Sequence, residues 1–582
     1  MKVSNIPLAQ LVVQQCKAHG IKHIVISPGS RSAPLTISFT QDIFFKCFSI
    51  VDERCAAFFA LGIAQQTNHP VALVCTSGSA LLNYYPAVSE AFYSRIPIIV
   101  LSADRPKYKV DIGDGQTIKQ PNVYGKHSLY NSNLRQDVFD DEPLKQNDIP
   151  LLKILKSKGS KLSDLKKNVE EFNTAEINKA LQISIQQSGP VHLNIPFEEP
   201  LYDTTEIESS SITVVLDSDQ HSDFKISTKH QDIWNTSQKK MILVGVLSPH
   251  SIDAEILNKI AKDDSVIVFT ETTSNLYHSE FFNSIDTIIT PLEEVDLKKL
   301  QPDLLVTIGG MVISKKIKAF LRSYQPKTHW HLGKHVANDT FYCLSQHFDM
   351  EPNRFFKGLN FKSSSKSSSY KPLWLRVKQH RLQKHFEYLD IIPFSDFLVF
   401  DRVLNHIPES YQLQVGNSSA IRYTQLFNLN PTIKVFCNRG TSGIDGSTST
   451  AIGASVVSKN STVFITGDLS FFYDSNALWN NYIPNHFRII VVNNNGGGIF
   501  RILPGHKNTA NFDTYFETKH QLTAKYLCDM FNFEYQTAVN ETELKSSLEH
   551  FYEASQKPKL LEIFTPSQVN DQVLLDYFKF LK

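Results

Sequence analysis

The chain has 582 residues, with 59 Lys and Arg against 58 Asp and Glu and a net charge of +1. At about 150 residues per domain this length implies three or four units, and so balanced a charge excludes a general attraction to nucleic acid or an anionic membrane. Seven scattered cysteines without a C-x-x-C pair, an N-terminus without a basic cap and apolar stretch, and apolar runs such as Ile96–Leu101 that fall well short of a membrane span are expected of a reduced, cytoplasmic protein.

Short β-branched runs alternate with longer helical patterns, which predicts an α/β fold of doubly wound parallel sheets built from β-α-β crossovers. The first block, residues 1–203, has strand candidates at His23–Ser27, Val71–Thr76, Ile98–Ser102 and Val191–Ile195. Polar loops follow three of them: one carries Ser30 and Arg31, the next Thr76, Ser77 and Gly78, and the third Arg105, with Gln116 shortly after. Between the first two loops, Asp52-Glu53 opens an apolar helix that runs to Ala64. Acids at a helix start are favoured by the dipole whatever their function. Pro196 to Pro200 and a polar stretch from Thr204 to Ser211 mark the block's end.

The second block, 204–361, has strand candidates Met241–Val246, Ser265–Thr270, Leu304–Ile308 and Thr328–Leu332 and fewer polar motifs. It contains the basic pair Lys315-Lys316 and the run His329-Trp330-His331, whose alternate histidines share a strand face. No carboxylate or thiol accompanies them in a ligand pattern, so they read as structural histidines. Residues 362–371 form a Ser/Lys linker that cannot pack a core.

The third block, 372–582, has strand candidates Gln412–Val415, Lys434–Cys437, Thr462–Thr466, Arg488–Val492 and Lys559–Phe564. Arginines again follow strands: Arg422 after Asn417-Ser418, and Arg439 before Ser442-Gly443-Ile444. Guanidinium forks grip carboxylates in pairs, so loops of this kind suit a substrate with several carboxylates, although any one such arginine also suits a surface ion pair. Thr466-Gly467-Asp468-Leu469-Ser470 and, a helix length later, Asn493-Asn494-Asn495-Gly496-Gly497-Gly498-Ile499-Phe500 bring polar groups to the carboxyl edge of one sheet. Asp468, an Asn amide and a glycine carbonyl are hard oxygen donors of the kind Mg²⁺ takes. The Asn/Gly run alone reads as a surface turn.

The Gly-Asp-x-Ser and Asn-Asn-x-Gly pair, with Asp52-Glu53-Arg54 and Ala60-Leu61-Gly62-Ile63-Ala64 upstream, resembles the thiamine-diphosphate-dependent enzymes, and the arginine loops resemble their menaquinone-pathway carboligases. The resemblance implies a pyrimidine-binding domain, a middle domain and a diphosphate-binding domain in the three blocks. It implies thiamine diphosphate and Mg²⁺ (or Mn²⁺) as cofactors, with the metal on Asp468, Asn494 and the Gly496 carbonyl; the triple Asn leaves Asn495 and Gly497 in the set. Cofactor contacts would come from Thr76, Ser77, Gly78, Ser418, Ile444, Gly467, Leu469, Ser470, Ile499 and Phe500. Glu53 would hydrogen-bond N1′ of the aminopyrimidine, and Ile444 would hold the cofactor bent. Substrate contacts would be Ser30, Arg31, Arg105, Gln116, Ser418, Arg422, Arg439, Lys315 and Lys316. Leu469 stands where the wider family has glycine, as in the menaquinone branch, whereas Gly115 replaces an Asn that branch often has. The implied reaction is decarboxylation of 2-oxoglutarate and 1,4-addition of the succinyl carbanion to isochorismate, in a homodimer or homotetramer with shared active sites. The rivals are another thiamine-dependent 2-oxoacid decarboxylase or acetohydroxyacid synthase, and an inactive regulatory homologue.

Overall fold

The computed structural model describes residues 2–137, 162–207, 224–361, 368–502 and 509–582; residues 362–367 of the expected linker and residues 208–211 of the polar stretch lie outside the described residues. By contact the chain forms two compact units, Met1–Ser218 with Asp445–Lys459 and Asp474–Pro484, and Asp219–Ile444 with Asn460–Tyr473 and Asn485–Lys582.

In the first unit, β1 (Lys2–Ser4) pairs antiparallel with β8 (Thr204–Glu206). The main sheet contains β2 (His23–Ile26), β3 (Lys46–Ser49), β4 (Val71–Cys75), β5 (Ile98–Asp104), β6 (Tyr130–Asn133) and β7 (Val191–Pro196). Its order is β3-β2-β4-β5-β7-β6 and all its pairings are parallel. Every residue of β4 and β5 is buried, as a parallel sheet covered on both faces requires.

The second unit carries two such sheets. One contains β9 (Lys240–Val244), β10 (Val266–Thr270), β11 (Leu304–Ile308), β12 (Thr328–Leu332) and β13 (Leu344–Phe348) in the order β10-β9-β11-β12-β13. The other contains β14 (Gln412–Val415), β15 (Lys434–Phe436), β16 (Thr462–Gly467), β17 (Arg488–Asn493), β18 (Glu534–Ala538) and β19 (Lys559–Phe564) in the order β15-β14-β16-β17-β19-β18. The α/β class of parallel sheets flanked by helices is therefore the expected one. The two six-stranded sheets share one connection pattern, and each has its strand-order reversal beside its first strand: between β2 and β4 in one, between β14 and β16 in the other. Ligands of open α/β sheets bind outside the carboxyl ends at such points.

Helix Glu53–Thr67, buried without a break from Cys55 to Ala64, lies in the first unit against helix Ser447–Val457. Two glycines set their separation. A Cβ on Gly62 would sit 2.1 Å from the Thr450 carbonyl oxygen, and one on Gly453 would sit 2.0 Å from that of Phe59. Both obstacles are backbone, so neither can swing away. Gly453→Val is therefore expected to cost about 3 kcal/mol or more, the upper part of the overpacking range, seen as a lower urea midpoint.

Candidate active site

In the first unit, Glu53 is the first residue of its helix and is half-buried. Asp52 caps that helix by accepting the Cys55 N–H at 3.1 Å, and Asn476 Nδ2 donates to the other Asp52 oxygen at 2.8 Å. Asp474, fully buried, accepts the Ser449 N–H at 2.7 Å and hydroxyl at 3.0 Å and faces the Cys55 thiol. Burial pushes its carboxyl up to about 6. Asp474 and Asn476, which the sequence did not single out, thus join Asp52 in fixing the turn from which Glu53 projects. Asn83 Nδ2 donates to Glu53 Oε2 at 3.2 Å. Burial first, and then the Glu53 charge, push the thiol of Cys75 at the end of β4 upward, so Glu53 lies beside the Thr76–Gly78 loop.

That loop is tightly built. Gly78 has φ 90° and ψ −136°, a conformation side chains rarely adopt, and its N–H donates to Gln120 Oε1 at 3.0 Å. Gln120, also missed in the sequence, is fully buried and donates to Asn194 Oδ1 at 2.7 Å. The backbone of Gln116, whose side chain is exposed, passes over Gly78. Arg105 donates to the Ser77 hydroxyl at 3.4 Å and pairs with Asp114 at 3.5 Å. The hydroxyl of Thr76 is buried without a partner. Ser30 is exposed, whereas Arg31 is buried and spends its guanidinium on the Phe197 carbonyl (3.1 Å) and Glu199 (2.9 Å). Arg31 and Arg105 both lie close enough to Asp104 to oppose the rise that burial imposes on its carboxyl.

In the second unit, four adjacent strands deliver the candidate residues at their carboxyl ends: β15 leads to Arg439, β14 to Ser418 and Arg422, β16 to Asp468, and β17 to the Asn run. Asp468 accepts the Leu469 N–H at 2.7 Å through one oxygen and the Gly496 N–H at 2.9 Å through the other, which also lies 3.2 Å from His520 Nε2. The three asparagines differ sharply. Asn493 ends β17 and is spent on the Leu522 carbonyl and Glu562, while Asn495 is exposed at φ 64°. Asn494 is buried; its Nδ2 donates to Asp396 at 2.9 Å, and its Oδ1 has no partner. A buried carbonyl oxygen without a donor, close in sequence to a backbone N–H that bonds Asp468, fits a hard cation. Among the described residues no group of three His, Cys, Asp or Glu could hold a metal ion, so the fit rests on carboxylate, amide and backbone oxygens.

Close packing shapes the same loop. A Cβ on Gly496 would meet the Glu517 carbonyl oxygen at 2.6 Å, and Glu517 in turn grips Arg501. A Cβ on Gly467 would meet nothing within 4 Å, so space for a ligand lies over it. The Ser470 hydroxyl donates to the carbonyl of half-buried Ile444 at 2.7 Å. Ile499 and Phe500 open the short helix Ile499–Ile502. Asp396, held at 2.6 Å by the Thr565 hydroxyl, fixes which way the Asn494 amide points. Asp396→Asn is expected to weaken divalent-ion affinity by about 10- to 100-fold, the usual effect of losing a partner that orients a ligand, as read by a Mg²⁺ titration of cofactor binding.

Basic residues gather at the other end of this row. Burial, and then the charge of Arg439, lower the Arg422 guanidinium, against the attraction of Asp286. Arg439 Nη1 donates to Asn417 Oδ1 at 2.6 Å, and Asn417 Nδ2 binds the Asn438 and Gly443 carbonyls, both at 2.7 Å. Ser418 holds the strained pair φ 68°, ψ −125°. Lys315 and Lys316 are exposed in the first turn of helix Lys315–Ser323, where the helix dipole opposes cations. Glu271, buried, accepts the Ile313 and Ser314 N–H groups at 2.7 Å, and Asp286 takes the Ser314 hydroxyl, so two hidden acids fix this helix start. Lys318 lies near both Glu271 and Arg439. His329 and His331 share the Thr307 hydroxyl, and burial lowers each to about 4.

Residues 6–127 match the thiamine pyrophosphate enzyme N-terminal TPP-binding domain. The chain is 53% identical over 575 residues, 99% of both proteins, to the 2-succinyl-5-enolpyruvyl-6-hydroxy-3-cyclohexene-1-carboxylate synthase of Flavobacterium psychrophilum. It is 53% identical to that of Flavobacterium johnsoniae, again over 99% of each, and 51% identical to that of Christiangramia forsetii over the whole of both. With its parallel sheets and this similarity along its entire length, the chain belongs to the thiamine-diphosphate-dependent 2-succinyl-5-enolpyruvyl-6-hydroxy-3-cyclohexene-1-carboxylate synthase family.

Proposed function

We propose that the chain decarboxylates 2-oxoglutarate and joins the remaining succinyl unit to isochorismate by 1,4-addition, giving 2-succinyl-5-enolpyruvyl-6-hydroxy-3-cyclohexene-1-carboxylate for menaquinone biosynthesis. The carbon–carbon bond to the leaving carboxylate breaks with release of CO₂ and its electron pair forms the new bond to the acceptor ring, where a conjugated double bond opens and the displaced pair takes up a proton from solvent. When bound, thiamine diphosphate supplies a thiazolium carbon that holds that electron pair between the two events. Glu53 holds a proton at N1′ of the aminopyrimidine. Asp468, Asn494 and the Gly496 carbonyl would hold Mg²⁺ or Mn²⁺ against the diphosphate, and Ile444 would pack against the cofactor. Thr76, Ser77, Gly78, Gly467, Leu469, Ser470, Ile499 and Phe500 line the cofactor.

The observation that carries the substrate reading is the gathering of Arg422 and Arg439, from the edge that also presents Asp468, with Lys318: three cations against the two acids Glu271 and Asp286. With Ser30, Arg31, Arg105, Gln116, Ser418, Lys315 and Lys316, these cations orient the carboxylates of donor and acceptor, a proximity effect. Purified protein should therefore consume 2-oxoglutarate only when isochorismate is present and should use pyruvate poorly. Arg422→Met should raise the 2-oxoglutarate KM by about 10- to 100-fold, as expected of a lost charged hydrogen bond, without the same loss toward pyruvate. Equal use of the two donors would remove the reading.

The three sheets support reading 1–203, 204–361 and 372–582 as pyrimidine-binding, middle and diphosphate-binding domains. We read the active unit as a homodimer or homotetramer in which two copies share each cofactor; the strongly exposed Tyr515, Tyr526 and Met530 support self-association. Seven cysteines with no disulfide between them support a cytoplasmic location, and no helix among the described residues is long and apolar enough to cross a membrane.

A further inference from the structure

We propose that a cavity of about 270 Å³ in the second unit is a binding site for a small organic carboxylate with a ring-sized apolar body, anchored by Arg381. The cavity is bounded by helix Ile285–Ile289 and the residues just before it, helix Tyr370–Leu389, helix Asp396–His406 and the Leu426–Asn428 turn. None of the residues assigned to the reaction above lines it.

The polar walls are largely spent on one another. Asn283 Nδ2 donates to Asn428 Oδ1 at 2.6 Å, the Thr287 hydroxyl to the Ser284 carbonyl at 2.8 Å, and Asn405 Nδ2 to Asp401 at 3.0 Å. His385 Nδ1 meets the Tyr577 hydroxyl at 2.7 Å. Arg381 is the exception among the described lining residues: it is 8% exposed, and its Nε and Nη1 are buried without an acceptor.

A guanidinium does not deprotonate in a protein, so burial leaves a charge that only a counter-charge or hydrogen-bond acceptors can offset. The surroundings supply little. Asp401 is ion-paired with Arg402, and Asp296, which attracts Arg381 through space, is paired with Lys299 at 3.0 Å. Lys378 adds a second cation to the wall and donates to the Ser279 and Phe281 carbonyls. The wall is therefore cationic, and a planar fork matches a carboxylate. Phe282, Ile288 and Phe427 form the apolar remainder. The volume lies just below the roughly 300 to 1,000 Å³ of drug-sized sites, which limits the occupant to about one ring.

The test uses the full chain with thiamine diphosphate and Mg²⁺ present, titrated calorimetrically with sodium benzoate, sodium acetate and inorganic phosphate. Benzoate should saturate one site per chain, with acetate and phosphate binding about tenfold or more weakly. Arg381→Met should weaken benzoate by about tenfold or more, and Arg381→Lys by less. Because Arg381→Met removes a buried side chain and risks misfolding, Phe386→Trp, at a wall position 58% exposed, gives a second readout: indole emission that changes saturably over the same benzoate range. Absence of benzoate binding, binding unaffected by Arg381→Met, an indole that does not respond, or phosphate binding as tightly as benzoate would each overturn the proposal.

Discussion

Replacing Glu53 by Gln should lower kcat by about 10²- to 10⁴-fold, the range for removing a positioned acid–base group, while thiamine diphosphate affinity changes only several-fold. The split follows from where Glu53 sits. Its helix start is fixed by Asp52, Asp474 and Asn476, which the amide does not disturb, and Asn83 can bond a Gln carbonyl oxygen as it does Oε2. What the amide lacks is the negative charge that favours a proton at N1′. Steady-state turnover alongside a fluorescence titration of the cofactor separates these quantities, and near-wild-type turnover would remove Glu53 from its assigned role.

Asp468→Asn should act on binding instead. Asp468 is 3% exposed, and its two oxygens accept the Leu469 and Gly496 N–H groups. An amide cannot accept both, so the variant loses the charge proposed to bind the metal and also releases the Gly496 loop. Cofactor affinity in the presence of Mg²⁺ should fall by more than about 100-fold, beyond the range for an orienting partner such as Asp396. A small effect, or one equal to that of Asp396→Asn, would place the metal elsewhere.

Interior strands were legible because they are buried on both faces and read as largely apolar runs: β4, β9 and β17 are buried at every position, and so is the edge strand β10, which was legible for the same reason. The strands of the three large sheets that escaped notice, β3, β6, β13 and β18, all lie at sheet edges, and the small β1–β8 pair escaped with them. Each of these edge strands is only partly buried, with sequences such as Tyr-Asn-Ser-Asn in β6, so no periodicity marks them.

The candidate site divides in a similar way. Residues that end a strand, such as Asp468 and Arg105, announce themselves, because a polar group just past an apolar run lies at a sheet edge. Their supports do not. Asp396 reaches Asn494 across 98 positions, and Glu271 reaches Ile313 across 42; only the fold brings them together. The three asparagines could not be ordered from sequence because their difference depends on where β17 ends, at Asn493, and on which partners wait beyond it.

The most direct measurement follows the fate of 2-oxoglutarate carbon in purified protein given thiamine diphosphate, Mg²⁺ and isochorismate. One CO₂ should be released for each succinyl adduct of isochorismate detected by mass, and both should vanish when the cofactor or isochorismate is left out. Release of CO₂ with free succinic semialdehyde as the product, whether or not isochorismate is present, would contradict the account.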